Sequence, residues 1–143
     1  MVSPTLRYAV DTNAVSELTR PQPNSHLVER WRFCQREIGI PTVVWHELQF
    51  GLARLPPSRK REGISAFLAG LRRSSMPFLD YDRQAAEFHA RERARLQSIG
   101  RPVPFRDSQI GAIAKSRNLI LVTANTKDFE MLEGLEMENW LVA

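Results

Sequence analysis

Carboxylates stand at three places in this sequence where the surrounding pattern predicts an apolar, core-facing side chain. Asp11 directly follows the apolar run Tyr8–Val10, Glu47 has apolar neighbours at every helical spacing, and Asp107 is followed at helical spacing by Ile110. Charged side chains are almost never fully buried without a partner. Three such carboxylates facing one space would repel one another unless a cation lay between them. The pattern therefore predicts a cation site built from carboxylate oxygens.

Each of these acids also has an ordinary structural interpretation. Asp11 is of a type that caps helices, and a helix is predicted shortly after it. Asp107 or Ser108 could cap the helix that begins near them, where a negative charge favours the free amides. Glu47 either pairs with an arginine from elsewhere in the fold or faces a polar pocket, because Arg54 is out of reach along the helix. The sequence leaves these alternatives open.

The side chains available as ligands narrow the choice of metal. His26, His46 and His89 are dispersed and share no zinc-type spacing. Carboxylate oxygens suit Mg²⁺ or Mn²⁺ and leave coordination positions for water and a substrate phosphate. An ion held this way can activate water for attack on a phosphodiester. The chemistry indicated is hydrolysis of a nucleic acid with one or two divalent ions.

Short strands alternate with helices along the whole chain. We predict strands at Leu6–Val10, Ile38–Pro41, Met76–Leu79, Leu119–Val122 and within Leu135–Val142. We predict helices at Ala14–Thr19, after a cap at Asn24 or Ser25, at Thr42–Arg54, after Ser58, from Asp82 to about Ser98, and at Arg106–Arg117. This alternation predicts an α/β fold, one domain over residues 1–143 whose mostly parallel, short-stranded central sheet is flanked by helices on both faces.

In such sheets ligands bind beyond the C-terminal ends of the strands. Asp11 falls at that edge, and so does the segment "TANTKDF", which brings Thr123, Asn125 and Asp128 after a strand. The segment is alternatively an ordinary polar turn.

Composition sets the class of protein. A chain of 143 residues with 43% hydrophobic and 25% charged residues is expected to fold as one globular domain. No apolar stretch approaches a bilayer span and no signal pattern begins the chain, so we expect a cytoplasmic protein without a membrane partner. Cys34 is the only cysteine, which is consistent with a reducing compartment.

Basic residues outnumber acids between Arg54 and Arg106. The formal charge is +4, and most of the positive charge is arginine. This excess favours a polyanionic substrate near the middle of the chain. It is alternatively a set of solvated helix faces.

The ordered motifs of the chain resemble those of PIN-domain ribonucleases of the VapC type, the toxin half of bacterial toxin–antitoxin pairs. The resemblance runs from about Leu6 to Trp140 and rests on "VDTNAVSEL", "VVWHELQFGLARLP", "RDSQIGAIAKSRNLILVTANTKDF" and "LEMENW". The segments "SELTRPQPN" and "GLARLP" are most similar to the FitB-like branch of that family.

The resemblance implies a role for each candidate residue. By position, Asp11, Glu47 and Asp107 match the acids that hold Mg²⁺ or Mn²⁺, and Asn125 stands where many members carry a fourth acid. A supporting shell is expected from Thr12, Asn13, Ser108, Thr123 and Asp128. Contacts to RNA are expected from Arg91, Arg95, Arg101 and Arg106.

The resemblance also implies partners. Members of the family cut structured RNA, often tRNA, form homodimers that sometimes assemble further, and pair with a small VapB- or FitA-like antitoxin. The antitoxin inserts a peptide into the active-site groove and binds operator DNA, so DNA is reached only through it.

Three other interpretations of the acids compete with this one. A phosphoryl-accepting receiver domain needs two adjacent acids after the first strand, whereas this chain has only Asp11 there. A haloacid-type phosphatase needs a second acid two residues after the first, and Asn13 occupies that position. The third alternative is a nucleic-acid-binding partner without catalysis, acting in a DNA-bound repressor complex. Asn125 and the basic middle region are compatible with that alternative.

Overall fold

Five short parallel strands form the central sheet of the computed structural model, which describes residues 5–143. The strands are β1 (Tyr8–Val10), β2 (Ile38–Pro41), β3 (Phe78–Leu79), β4 (Ile120–Val122) and β5 (Met137–Glu138). All residues of β1 and β2 are buried, as expected for strands covered on both faces. The predicted α/β class with a parallel central sheet is confirmed.

The strand order places β1 at the point where the chain changes its direction of travel across the sheet. The order is β3-β2-β1-β4-β5, and every neighbouring pair is parallel. The chain moves outward from β1 through β2 and β3, then returns to the other side of β1 for β4 and β5. The C-terminal ends of β1 and β4 therefore form a topological switch point, where ligands of open α/β sheets bind. Val10 pairs with Val122, so Asp11 and Thr123 leave the sheet at the same level.

Six α-helices accompany the sheet in the described part of the chain. They are α1 (Thr12–Leu18), α2 (Ser25–Cys34), α3 (Thr42–Arg54), α4 (Arg59–Arg73), α5 (Arg83–Ser98) and α6 (Phe105–Ser116). Side chains of Asn24, Ser58 and Asp82 cap α2, α4 and α5 by accepting hydrogen bonds from backbone amides of the first turn. Short 3₁₀ turns lie at Gln35–Glu37 and Thr126–Asp128.

The predicted and observed elements differ mainly at the sheet edges and at helix starts. The strands predicted at Met76–Leu79 and within Leu135–Val142 shrink to two residues each, because β3 and β5 are edge strands that pair on one side only. Helix α1 begins at Thr12, two residues earlier than predicted, because the Asp11 side chain accepts a bond from the Thr12 amide.

Helix α6 is the central helix of the core. It is buried along most of its length, packs against α5, and contacts β1, β2 and β4. It begins at Phe105 after Pro104, and no side chain within residues 5–143 caps it. The capping interpretation of Asp107 and Ser108 is therefore wrong, because both lie inside the first turn.

Close packing of the sheet requires a small residue at one position of β2. A Cβ atom on Gly39 would lie 2.8 Å from a methyl carbon of Leu79, closer than carbon atoms pack.

None of the helices in residues 5–143 is both long and apolar enough to cross a bilayer.

Candidate active site

Asp11 is the buried acid of the switch point. Asp11 is 5% exposed. Its carboxylate accepts three hydrogen bonds. Oδ1 accepts from the Thr12 amide at 2.8 Å, and Oδ2 accepts from Asn13 Nδ2 at 3.0 Å and from Thr123 Oγ1 at 2.9 Å. The capping interpretation of Asp11 is thus confirmed. Its Oδ2 atom makes additional hydrogen bonds, to Asn13 and Thr123, that a helix cap does not require.

Thr123 and Asn13 fasten the segment after β4 to the segment after β1. The one hydroxyl hydrogen of Thr123 goes to Asp11, and its oxygen accepts from the Asn125 amide at 3.0 Å. Asn13 Oδ1 accepts from the Ala124 amide at 3.0 Å. The predicted juxtaposition of these two polar segments is therefore present in the fold.

Glu47 approaches the same region from α3. Its carboxylate is partly buried and pairs with Arg106 Nη1 of α6 at 3.2 Å. The partner is a tertiary arginine, which is the first of the two alternatives that the sequence left open. Glu47 also lines a groove of about 280 Å³, in which Arg20, which follows α1, and Lys60 of α4 lie beside several leucine side chains.

The acids lie close enough to act on one another electrostatically. Burial raises the pKa of Asp11, and the charge of Glu47 raises it further, while the Thr123 and Thr12 hydrogen bonds oppose this rise. Burial also raises the pKa of Asp107, with additional contributions from the charges of Asp11 and Asp128 and an opposing one from Arg106. These residues come from four different parts of the chain, and the fold brings their charges into one field.

The donor set fits a hard divalent cation. Within residues 5–143 no three His, Cys, Asp or Glu side chains stand close enough to enclose an ion as they are placed. The available donors are oxygens, and a cation would offset both the burial that chiefly raises the Asp11 and Asp107 pKa values and the smaller repulsion between the acids. The buried Thr12 Oγ1 also has no hydrogen-bond partner among the described residues. Asp11, Glu47 and Asp107 are therefore suited to such an ion.

The Ser108 hydroxyl, expected to support the acids, makes its hydrogen bonds elsewhere. Its hydroxyl bonds to the Pro104 and Phe105 carbonyls and to His89 Nε2, rather than to a carboxylate. Sequence reasoning gave His89 no part in the site. Its separation of 19 residues from Ser108 leaves no local pattern that could reveal the contact.

Asn125 and Asp128 lie on the exposed rim of the switch point. Both belong to the segment after β4, at and within the 3₁₀ turn, and both are exposed. The Asp128 charge contributes to the raised pKa of Asp107, so Asp128 belongs to the electrostatic environment of the acids.

The four arginines expected to contact RNA have different environments. Arg91 and Arg101 are exposed, and Arg106 holds Glu47. Arg95 makes two hydrogen bonds to the buried Glu92, at 2.8 and 2.9 Å, and a third to the Met131 carbonyl at 2.7 Å. Arg95 thus ties the segment before β5 to α5.

A buried carboxylate at the switch point of a small parallel sheet, with further acids in its field, defines an α/β domain with an acidic crevice. The family profile of the PIN domain matches residues 8–135, and the chain belongs to the PIN-domain family. Its relatives place it among the VapC-type members.

Three of these relatives show how far the similarity extends. The chain is 36% identical to the tRNA(fMet)-specific endonuclease VapC of Shigella flexneri over 94% of this chain and 98% of that protein. The DNA-bound VapBC structure from Salmonella typhimurium matches with a TM-score of 0.83 and 32% identity, covering 95% of this chain and 99% of that one. The FitAcB structure from Neisseria gonorrhoeae matches with a TM-score of 0.82 and 25% identity over 95% and 99% of the two chains.

Proposed function

We propose that this chain is the toxin component of a type II toxin–antitoxin pair, and that it is an endoribonuclease dependent on Mg²⁺ or Mn²⁺. It hydrolyses phosphodiester bonds in structured RNA, with tRNA as the first substrate to test. The observation that carries this proposal is the Asp11 carboxylate, buried at the switch point in the field of Glu47 and close enough to Asp107 to raise its pKa. The names of the relatives, which include ribonucleases and a tRNA(fMet)-specific endonuclease, support the substrate class.

Asp11, Glu47 and Asp107 would hold one or two divalent ions. Such an ion would lower the pKa of water and stabilise negative charge on the phosphoryl oxygens. The residues around the acids hold them in place. Thr123, Asn13 and the Thr12 amide orient Asp11, whereas Arg106 pairs with Glu47 and competes with a cation for its carboxylate.

The rim supplies the remaining polar groups. Asn125 and Asp128 are exposed beside the crevice, and either one can provide the fourth polar position of the site. Arg91, Arg101 and Arg106 provide positive charge for the RNA backbone. Arg95 is better regarded as a structural residue, because its guanidinium is bonded to Glu92 and to the Met131 carbonyl.

The partners follow from the relatives. The VapBC and FitAcB complexes support pairing with a small antitoxin, and the DNA-bound VapBC complex supports DNA binding through that antitoxin. We further propose a homodimer, made of copies that each form one domain over residues 1–143. Because the proposed substrate is cellular RNA, we place the protein in the cytoplasm.

The proposal is tested with purified, antitoxin-free protein and total bacterial RNA. Reactions contain Mg²⁺, Mn²⁺ or chelator, and Asp107→Asn is purified and assayed identically. The proposal predicts discrete fragments that require the metal and are absent with the variant, and sequencing of their ends names the target. Full activity in Asp107→Asn would overturn the site assignment.

The alternative of a non-catalytic nucleic-acid-binding partner makes a different prediction in the same assay. It predicts RNA binding without cleavage, and binding that is the same with metal and with chelator. That result would overturn the nuclease proposal and direct attention to Asn125, the position where the family resemblance implies a fourth acid.

A further inference from the structure

His89 is a fully buried titratable residue that bridges two elements beside the acidic crevice. It lies on α5 with 2% of its surface exposed. Its Nδ1 is 2.7 Å from the Tyr81 hydroxyl, and its Nε2 is 3.0 Å from Ser108 Oγ on α6. Both ring nitrogens are thus engaged within the protein.

The direction of these hydrogen bonds follows from the groups available. Ser108 Oγ lies 2.9 Å from the Pro104 carbonyl and 3.1 Å from the Phe105 carbonyl, and both carbonyls can only accept. The single hydroxyl hydrogen of Ser108 therefore goes to a carbonyl, and His89 Nε2 donates to the serine oxygen. Nδ1 of the neutral ring then accepts from Tyr81.

The first turn of α6 has no side-chain cap for its free amides among the described residues. Pro104 precedes it. His89 contacts this turn a second time, because its ring packs edge-on against Phe105 with the centroids 4.8 Å apart. Its two contacts, Phe105 and Ser108, lie on either side of Arg106 and Asp107 in the sequence. The imidazole of His89 therefore contacts both ends of the turn that carries Asp107 and Arg106, the partner of Glu47.

We infer that His89 is a positioning residue of the active site. By donating to Ser108 and packing on Phe105, it holds the first turn of α6 so that the Asp107 carboxylate faces the other acids. This inference rests on the proposed function, since it assigns His89 a part in metal binding and cleavage. Tyr81 orients the imidazole from its other side.

Two substitutions of His89 separate positioning from mere packing. The amide nitrogen of His89→Gln reaches the position of Nε2 and can still donate to Ser108, whereas His89→Asn reaches only the position of Nδ1. Binding of Mn²⁺ is measured by titration calorimetry without RNA, and kcat and KM are measured for RNA cleavage. We expect His89→Asn to lose about tenfold or more in Mn²⁺ affinity and in kcat with little change in KM, as for other residues that orient metal ligands. We expect His89→Gln to stay within about threefold of the wild type, because the bond that orients the ligand is retained.

Ser108→Ala provides a second measurement if His89→Asn does not fold cooperatively. It removes the acceptor on α6 and leaves His89 in place, so we expect the same loss of Mn²⁺ affinity and kcat. Wild-type Mn²⁺ affinity and kcat in a folded His89→Asn or Ser108→Ala protein would overturn the inference. Equal losses in His89→Gln and His89→Asn would also overturn it, because packing rather than the donor would then be responsible.

Asp107→Asn in the same titration distinguishes the two levels of the proposal. If Asp107→Asn loses Mn²⁺ binding while His89→Asn and Ser108→Ala keep it, the positioning role fails and the proposed site stands. If Asp107→Asn binds Mn²⁺ as the wild type does, the proposed site fails and the role of His89 fails with it.

Discussion

Thr123 donates its hydroxyl hydrogen to Oδ2 of Asp11 at 2.9 Å, across 112 residues of sequence. Both residues are buried, and each follows directly after one of the two strands that meet at the switch point. A carboxylate buried without donors would be strongly disfavoured in its charged form. Thr123 therefore helps to keep Asp11 ionised at a place where burial alone would favour its protonation.

Replacement of Thr123 by valine should destabilise the protein because it removes this donor without changing the shape of the side chain. We expect a loss of about 1.5–3 kcal/mol in the free energy of unfolding, the usual value of a hydrogen bond to a charged group. Urea denaturation at pH 7 in chelator measures it. Thr123→Ser keeps the hydroxyl and should cost only about 1 kcal/mol, through the lost methyl group. Equal losses in the two variants would show that the hydroxyl does not matter.

Arg106→Gln should change metal binding and RNA binding in opposite directions. Arg106 pairs with Glu47 and opposes the rise in the Asp107 pKa, so its positive charge also opposes a cation at the acids. We expect Mn²⁺ affinity to rise about twofold to fivefold, the range of an exposed ion pair. The KM for RNA should rise because a positive charge proposed to contact RNA phosphates is lost.

Arg101→Gln is the matched control for Arg106→Gln. Arg101 is exposed in the loop before α6, and its loss removes the same charge from the surface proposed to contact RNA. Its KM for RNA should rise while Mn²⁺ affinity, measured by calorimetry, stays unchanged. A fall in Mn²⁺ affinity in Arg106→Gln would contradict the opposition between Arg106 and the cation.

Glu92→Gln should destabilise the protein at neutral pH and much less in acid. The Arg95 hydrogen bonds, followed by the Glu133 amide, lower the pKa of the buried Glu92 from its usual 4.5. A lowered pKa stabilises the fold above that usual value, and this stabilisation is lost as the pH falls through the lowered pKa. We expect a loss of about 1.5–3 kcal/mol at pH 7 that shrinks below about pH 4.5. Chemical denaturation as a function of pH measures both.

Glu87→Gln is the matched control on the same helix. Glu87 pairs with Arg83 four residues away, and both side chains are well exposed. Its loss should change stability by no more than about 0.5 kcal/mol. A loss in Glu87→Gln as large as that in Glu92→Gln would remove burial as the explanation.

Asp107→Asn should be more stable than the wild type in chelator at neutral pH. Burial and the charges of Asp11 and Asp128 raise the Asp107 pKa above its usual 3.8. A raised pKa means that the ionised carboxyl costs stability, a cost that is absent below that usual value and grows as the pH rises through the raised pKa. The gain in the variant should therefore appear only above about pH 4. A variant less stable than the wild type at pH 7 would show that the Asp107 carboxylate makes a favourable contact in the metal-free fold.

Local patterns in the sequence were enough to predict the helices and strands and to identify the acids that interrupt the apolar pattern. The continuous apolar run of β1, the caps at Asn24, Ser58 and Asp82, and the helical spacing around Glu47 are properties of neighbouring residues. They predicted the α/β class, and they marked the positions at which a charge had to be explained.

Only the tertiary structure decided which partners those charges have. Arg106 is 59 residues from Glu47, and Thr123 is 112 residues from Asp11. These pairs exist because β4 returns beside β1 and α6 packs across the sheet, and strand order is not written in any local stretch of sequence. The contacts of Arg95 depend on the tertiary structure for the same reason, since its bond to the Met131 carbonyl depends on where the segment before β5 lies. Short-range periodicity and capping determine burial and element type, whereas hydrogen-bond partners across the site depend on how distant elements pack.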